Sequence, residues 1–280
     1  MLEIFKNRKL VIATKHKKEV VIAPTFEKGL GVTCIVPNDF DTDLLGTFTG
    51  EIERKGDALA TVRKKCLLAM EQTNCDLGIA SEGSFGPHPS IFIAHADDEI
   101  LIFIDKKNNL EIIVRELSLD TNFNATTVKS FHNLVNLVKT IGFPEHAIIL
   151  KNEEEITSIV KGIQSWELLE ESYYKLSTNN SQVVAETDMR AMFNPTRMKV
   201  IEKAAIKLFE KIITLCPKCN TPGFGILDAK PGLRCEWCNL PTKSTLSHIY
   251  KCQKCQFELE KMYPKDKKTE DPMYCDFCNP

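Results

Sequence analysis

Eight cysteines in the last quarter of the chain fall as four Cys-x-x-Cys pairs: Cys216/Cys219, Cys235/Cys238, Cys252/Cys255 and Cys275/Cys278. The spacers between successive pairs are 15, 13 and 19 residues. Two thiolates with two residues between them grip one ion from a tight turn, and two such turns complete a tetrahedral four-cysteine shell. Four repeats of that spacing point to two bound Zn2+, with a redox-active Cys-x-x-Cys as the poorer reading. A shell closed by four thiolates is structural rather than catalytic. The 65 residues from Cys216 to Pro280 lack the core to fold alone, so the metal would supply the folding free energy. Sequential pairing, first with second and third with fourth, is the expectation and gives two successive zinc ribbons. Interleaved pairing, as in a cross-brace, is the alternative. His248 reads as a strand or surface histidine, because eight thiolates already suffice.

The other three cysteines, Cys34, Cys66 and Cys75, occupy apolar positions and read as buried thiols. In a reducing compartment, cysteines so skewed and paired mean metal rather than disulfide. The start, Met1 to Lys15, has no apolar segment followed by a small-residue cleavage site, and no stretch has the length and apolarity of a membrane helix. The expected location is cytoplasmic, with no membrane partner.

With 280 residues, 43% hydrophobic and 26% charged, the chain is long enough for one large domain and a small one. Its net charge of −2 gives no basic footprint for nucleic acid. From Cys216 onward the formal charge is +2, and eight thiolates with two Zn2+ bring it to about −2. A protein contact through this module is therefore the better reading than nucleic acid.

Apolar periodicity predicts strands at 10–14 and 32–36 and a helix over 57–72 with Leu59, Val62, Cys66 and Met70 on one face. An acidic, glycine-bearing loop is expected from Asp39 to Gly56. The run Leu77–Ala80 reads as a short strand, and Ser81 to Pro89, with two glycines and two prolines, as irregular. Strands follow at 91–94, 100–104 and 111–116, the last two as a hairpin. Helices are expected over 127–140 and 165–176, and strands over 147–150 and 182–185. Asn194-Pro195 begins a helix to about Ile213, with Asn as N-cap and Pro at the first helical position. It carries Met198, Ile201, Ala205, Leu208 and Ile212 on one side. The expected organisation is an α/β body with a mixed sheet over 1–194, a connecting helix over 195–214 and the eight-cysteine double zinc-ribbon module over 215–280.

Three segments of the body carry chemistry. Thr14-Lys15-His16-Lys17-Lys18 follows the first strand, where open α/β sheets bind ligands; its three lysines could hold phosphates, and Thr14, Lys15 and Lys17 are the selected candidates. A solvated turn is the bland reading. Glu82 follows an apolar strand and is a candidate Mg2+ ligand. A serine nucleophile in Gly83-Ser84-Phe85-Gly86 lacks the Gly-x-Ser-x-Gly elbow. In the segment Glu186 to Arg197, Glu186 and Asp188 are candidate metal ligands, and Arg190 and Arg197 candidate grips for phosphate. The competing reading makes them ion pairs that fix the following helix. No P-loop, His-Glu-x-x-His or Gly-x-Gly-x-x-Gly motif is present, which disfavours a P-loop nucleotidase, a zinc protease and a Rossmann dehydrogenase.

The runs Asp41 to Gly50, Ser81 to Ser90, Glu186 to Met198 and Pro272 to Cys278 resemble a bacterial family known as a domain of unknown function, number 6671. That resemblance spans essentially the whole chain and implies the same architecture without an activity. In the first 118 residues, the order of a strand ending Ala13-Thr14, a helix with Arg63, a strand into Glu82-Gly83 and a hairpin is similar to the inosine/xanthosine triphosphate pyrophosphatase fold. The resemblance implies a post-strand phosphate segment, in which Thr14 matches while His16 stands in the Asn position and Glu19 near the Lys position. Glu82 is its best-matched acidic residue. Together these readings lead to the expectation of a Mg2+- or Mn2+-dependent phosphohydrolase acting on a nucleotide or similar phosphorylated small molecule. Glu82 and Asp188 would hold metal and Lys15, Lys17, Arg190 and Arg197 would meet phosphate. A non-catalytic zinc-ribbon adaptor for a protein or nucleic-acid partner is the alternative.

Overall fold

The computed structural model describes residues 2–38, 40, 57–91, 93–153, 158–178 and 182–280. The run Asp41 to Gly50, and with it almost all of the acidic loop, lies outside the described residues. The chain divides into two compact units, Met1–Leu208 and Phe209–Pro280, and the boundary falls inside a helix.

Among the described residues, the first unit contains two sheets. One is five-stranded, in the order β2 (Thr33–Ile35), β1 (Lys9–Ala13), β3 (Leu77–Pro87), β4 (His95–Asp105), β5 (Leu110–Ser118). β2, β1 and β3 run parallel, while β3, β4 and β5 form an antiparallel meander. The sheet is mixed, as expected. Helix α1 (Glu19–Leu30) ends at Gly31, whose φ of 69° suits a residue without Cβ. Helix α2 (Ala58–Gln72) starts on Asp57, whose carboxylate accepts from the Ala60 amide. It buries Val62, Cys66 and Met70 against Val11, Ala13, Ala80, Ile102 and Ile104, which is the face its periodicity predicts. Arg8 clamps the far end of the sheet, with a bidentate pair of 2.9 and 2.7 Å to the buried Asp105 carboxylate.

The segment Ser81 to Pro87 is strand, not the irregular loop expected from its glycines and proline. Every residue from Leu77 to Pro87 faces a partner on β4, from Leu77↔Asp105 to Pro87↔His95. Pairing with β1 stops at Ala80, so among the described residues the outer half of β3 meets a named strand on one side only. Cross-strand pairing overrides the local preference of glycine there, and Pro87 sits at the strand end where its missing N–H is harmless. The described residues of 91–94 form the return of this hairpin and not a separate strand; the His88 amide reaches the Ala94 carbonyl at 2.8 Å.

The second sheet is four-stranded and antiparallel, in the order β6 (Ala125–Val128), β9 (Val183–Thr187), β7 (Ile148–Asn152), β8 (Ile159–Ile163). Helices α3 (Phe131–Ile141) and α4 (Trp166–Leu176) supply Leu134, Val138, Leu169 and Tyr173 to a core shared with Ile148, Leu150 and Val183. β6 takes the first residues of the helix expected over 127–140. Its Thr126, Thr127 and Val128 suit a strand, and Ser130 then caps α3 by accepting from the Asn133 amide at 3.2 Å. Helix α5 (Pro195–Ile213) begins as the sequence predicts, with the Asn194 Oδ1 accepting from the Arg197 amide at 3.0 Å.

The second unit holds β10 (Gly225–Pro231), β12 (Thr245–Lys251) and β13 (Glu258–Met262) as an antiparallel sheet. The two-residue strands β11 (Arg234–Cys235) and β14 (Thr269–Glu270) pair in parallel.

Candidate functional site

In each cysteine pair one backbone pattern recurs. The amide after the second cysteine bonds the carbonyl of the first: Asn220 to Cys216 at 2.8 Å, Asn239 to Cys235 at 3.0 Å, Gln256 to Cys252 at 3.1 Å and Asn279 to Cys275 at 2.8 Å. Asn220, Asn239 and Gln256 take positive φ of 56–58°, which turns the chain and sets both sulfurs on one side.

The four turns gather into two sets. Cys216, Cys219, Cys252 and Cys255 form one; Cys235, Cys238, Cys275 and Cys278 form the other, with the sulfurs of each set all within 4.8 Å of one another. Pairing is therefore interleaved, and the sequential expectation is corrected. Strand register is the reason. β10 and β12 are antiparallel with Gly225 opposite Lys251, so the turn before β10 and the turn after β12 meet at one end. β11 and β14 pair Cys235 with Glu270 and bring the second turn to the fourth.

Cross-pair Sγ–Sγ distances are 3.7 and 3.6 Å in the first set and 3.8 and 3.6 Å in the second. A tetrahedron with Zn–S bonds of about 2.3 Å has edges of about 3.8 Å, whereas a disulfide would need about 2.0 Å. Both sets thus fit a metal ion and the geometry is consistent with structural zinc. His248 lies on β12, outside both sets.

The body holds a second assembly. β1 and β3 run parallel and in register at Ala13↔Ala80, so Thr14 and Ser81-Glu82 emerge at the same, carboxyl end of the sheet. The Thr14 hydroxyl accepts from the amides of His16 and Lys18 at 3.2 and 3.3 Å and shapes the loop. That loop exposes Lys15 and Lys17 and turns Lys18 inward. The Lys18 ammonium reaches the Ser81 hydroxyl at 2.8 Å and Glu99 at 3.9 Å. Lys65, from α2, donates to the Ser81 carbonyl at 3.1 Å and pairs with Glu82 at 3.3 Å. Arg197, from the first turn of α5, donates from Nε to Glu99 at 2.7 Å, and its Nη1 donates to the Met189 carbonyl. Its guanidinium lies 5.0 Å from the Phe85 ring.

Strand alternation sorts the acids. Glu99 faces Gly83 and Asp97 faces Phe85 across the β3–β4 ladder, so these four share one face, and Glu82 sits on the other with Lys65. Lys18, Lys65, Glu82, Asp97, Glu99 and Arg197 are all buried. Burial pushes the Lys18 ammonium down to about 7, against the pull of Glu99 and aided by Arg197 and Lys65. Burial would raise Glu99, but Arg197 and Lys18 outweigh it and hold that carboxyl below its ordinary value. Asp97 goes the other way: burial and then the Glu99 charge push it up to about 8.

Of the residues selected from the sequence, Thr14, Glu82 and Arg197 lie in this assembly. Lys15 and Lys17 are held at the surface. Asp188 and Arg190 pair with each other instead: Arg190 Nε donates to Asp188 at 3.0 Å, and the same carboxylate accepts from the Gly162 amide at 3.1 Å. Glu186 pairs with Lys151 at 2.7 Å. Lys18, one of the three lysines read as phosphate candidates, also lies here, while Lys65, Asp97 and Glu99 escaped sequence reasoning. Lys65 sits beside another lysine, and Asp97 and Glu99 in a run, Asp97-Asp98-Glu99, that looks like a solvated turn. Alternation along β4 would have separated the inward pair from Asp98, had the strand been extended to His95.

A family model described as Domain of unknown function (DUF6671) matches residues 65–280. The chain belongs to this family. The matched span takes in Lys65, Glu82, Asp97, Glu99, Arg197 and all eight paired cysteines, and leaves out the Thr14–Lys18 loop. Against curated proteins the chain finds no match. Among the described residues no helix is long and apolar enough to cross a membrane.

Proposed function

We propose that the body of this family member cleaves a phosphate bond in a small phosphorylated molecule such as a nucleotide, and that the C-terminal unit is built on two structural Zn2+. The observation that carries the reading is the convergence of Lys18, Lys65 and Arg197 with Glu82 at the carboxyl end of β1 and β3. Ligands of α/β sheets enter at that end. Phosphoryl transfer needs positioning and charge neutralisation more than covalent chemistry, and Lys18 and Arg197 on one face of β3, with Lys65 on the other, offer cations for both. A divalent cation, Mg2+ or Mn2+, would have to be held by Glu82, now paired with Lys65, together with the substrate's own phosphates. Among the described residues only the cysteine sets gather three or more ligands, so Glu82 would offer one carboxylate. A Mg2+ ion of that kind keeps several waters and takes further oxygens from the substrate's phosphates. It would polarise the phosphoryl oxygens and favour attack by water. Thr14 shapes the loop that delivers Lys18. Lys15 and Lys17, at the surface of that loop, would attract the anion, and Asp188 with Arg190 would hold the approach to α5.

The test is release of phosphate or pyrophosphate from a nucleotide panel with Mg2+ or Mn2+, comparing the zinc-loaded chain with Glu82→Gln. Release by the parent that falls by about 100-fold or more in the variant supports the reading. No release by either protein across the panel overturns it.

A second reading, a zinc-built adaptor for a protein partner, draws on one observation. Trp237 and Phe277, within the turns of the second cysteine set, are 78% and 65% exposed, with Met273 and Tyr274 beside them in sequence at 60% and 61%. Aromatic side chains left in water are enriched at protein interfaces.

A further inference from the structure

Asp97 is wholly buried, and among the described residues neither oxygen of its carboxyl has a hydrogen-bond partner. Its surroundings explain why no partner is at hand. On its own strand and face stands Glu99, two residues on. Arg197 and Lys18 both turn to that second carboxylate, at 2.7 and 3.9 Å. Asp98, between the two acids, points to the opposite face and pairs with Arg115 at 2.6 Å. Across the ladder, β3 presents Phe85, which brings no charge. Both cations lie nearer Glu99, and their attraction for a charge on Asp97 is outweighed by burial and by the Glu99 carboxylate. A carboxylate buried without a donor is disfavoured against the neutral acid, so the group keeps its proton. The upward shift of Asp97 to about 8 agrees with this. A neutral acid is left beside two cations, on the face that also carries Arg197.

Resting on the hydrolase reading above, we propose that Asp97 is the proton donor of this site, passing the hydrogen on its carboxyl to the oxygen that leaves phosphorus. The water oxygen forms its bond to phosphorus as the bond to the leaving oxygen breaks. The electron pair of that bond stays on the leaving oxygen, which takes the Asp97 proton. The attacking water loses its own proton to solvent, and Asp97, left as a carboxylate, regains one from solvent. Glu82, on the opposite face of β3 and paired with Lys65, has no part in this transfer. The substrate class narrows accordingly: phosphate monoesters whose leaving oxygen is too basic to depart unprotonated, such as an alkyl or sugar phosphate, a nucleoside monophosphate included. Asp97 differs in this from Glu99, which its ion pairs keep charged.

The experiment uses the full zinc-loaded chain and Asp97→Asn, a change that keeps shape and removes the proton. Infrared difference spectra between the two proteins read the protonation directly and require no substrate. A carboxylic-acid carbonyl band is expected in the parent at neutral pH, absent from the variant, and fading as pH rises through about 8. Phosphate release is then followed from an alkyl phosphate and from 4-nitrophenyl phosphate, whose leaving group needs no proton. The variant is expected to lose about 10²–10⁴-fold on the alkyl ester and to stay within a few-fold on the nitrophenyl ester. Circular dichroism confirms that it folds. A missing acid band, or equal losses on both esters, overturns the proposal. A band present in a parent that releases phosphate from neither ester nor from any nucleotide of the panel overturns the hydrolase reading itself, and the donor role with it; release from the nucleotides but from neither ester overturns the donor role alone.

Discussion

Arg197 on α5 donates to Glu99 on β4 at 2.7 Å, with both side chains removed from water. The pair ties the start of α5 to the five-stranded sheet, 98 residues away in sequence. Breaking a buried ion pair from one side leaves a bare charge. Arg197→Met is therefore expected to destabilise the body by about 3–5 kcal/mol. Adding Glu99→Gln is expected to restore part of the loss, since the orphaned charge goes too. Urea unfolding in a Trp237→Phe background, where Trp166 alone reports on the body, measures both. Equal stability of the single and double variants would contradict the expectation.

Asp97 sets a pH dependence whose sign follows from the direction of its shift. Its folded value, about 8, is above that of the unfolded chain, so between roughly pH 4 and 8 the native state binds the extra proton. Its contribution is fully present below the unfolded value and is lost as pH rises through the folded one. Asp97→Asn carries no such loss. The variant is expected to match the parent near pH 4 and to exceed it increasingly up to about pH 8, where the difference levels off. Thermal unfolding across that range reads it out. A difference that does not grow with pH would refute the buried, proton-holding Asp97.

Gly83 lies under the same pair. A Cβ there would collide with the Glu99 carboxylate and the Arg197 guanidinium. Gly83→Ala is expected to cost about 1–3 kcal/mol by overpacking, because neither ion can retreat without giving up its partner. Gly86 on the same strand has open space around its Cβ position and is the control. Gly86→Ala is expected to be near neutral in the same unfolding assay.

Interleaved pairing of the cysteines makes a prediction that sequential pairing does not. Replacing Cys216 and Cys219 by serine should release Cys252 and Cys255 to alkylation in the presence of zinc, while Cys235, Cys238, Cys275 and Cys278 stay protected. Mass spectrometry of the alkylated chain reads the pattern. Exposure of Cys235 and Cys238 instead would restore the sequential arrangement.

Chelation of both ions is expected to unfold the C-terminal unit, since Zn2+ binding supplies on the order of 10 kcal/mol per site. The α/β dichroism of the body should largely remain, as its two sheets have their own buried cores. Amide NMR signals of the unit that stay dispersed in the metal-free chain would contradict this.

Much of the fold is legible in the sequence because local rules apply to it. The faces of α2 and α5 follow from helical periodicity, and the start of α5 from Asn194-Pro195. The hairpin of β4 and β5 follows from two apolar runs around a polar turn. Local rules fail where a distant strand decides. Ser81 to Pro87 is extended because β4 pairs with it, and β6 and β8 exist because β9 and β7 offer edges to them.

The candidate sites divide in the same way. Spacing alone selects the eight cysteines as ligands, since a Cys-x-x-Cys turn needs only its own backbone to set two sulfurs side by side. Which turns share an ion is absent from that spacing, because all four are alike; the register of β10 with β12 and of β11 with β14 decides it. In the body, the sequence singles out Thr14, Glu82 and Arg197 by type and place. The partners Lys18, Lys65, Asp97 and Glu99 come from separate stretches of chain, each of which looks solvated in one dimension. Only tertiary packing removes them from water, and once dry, their charges must answer one another.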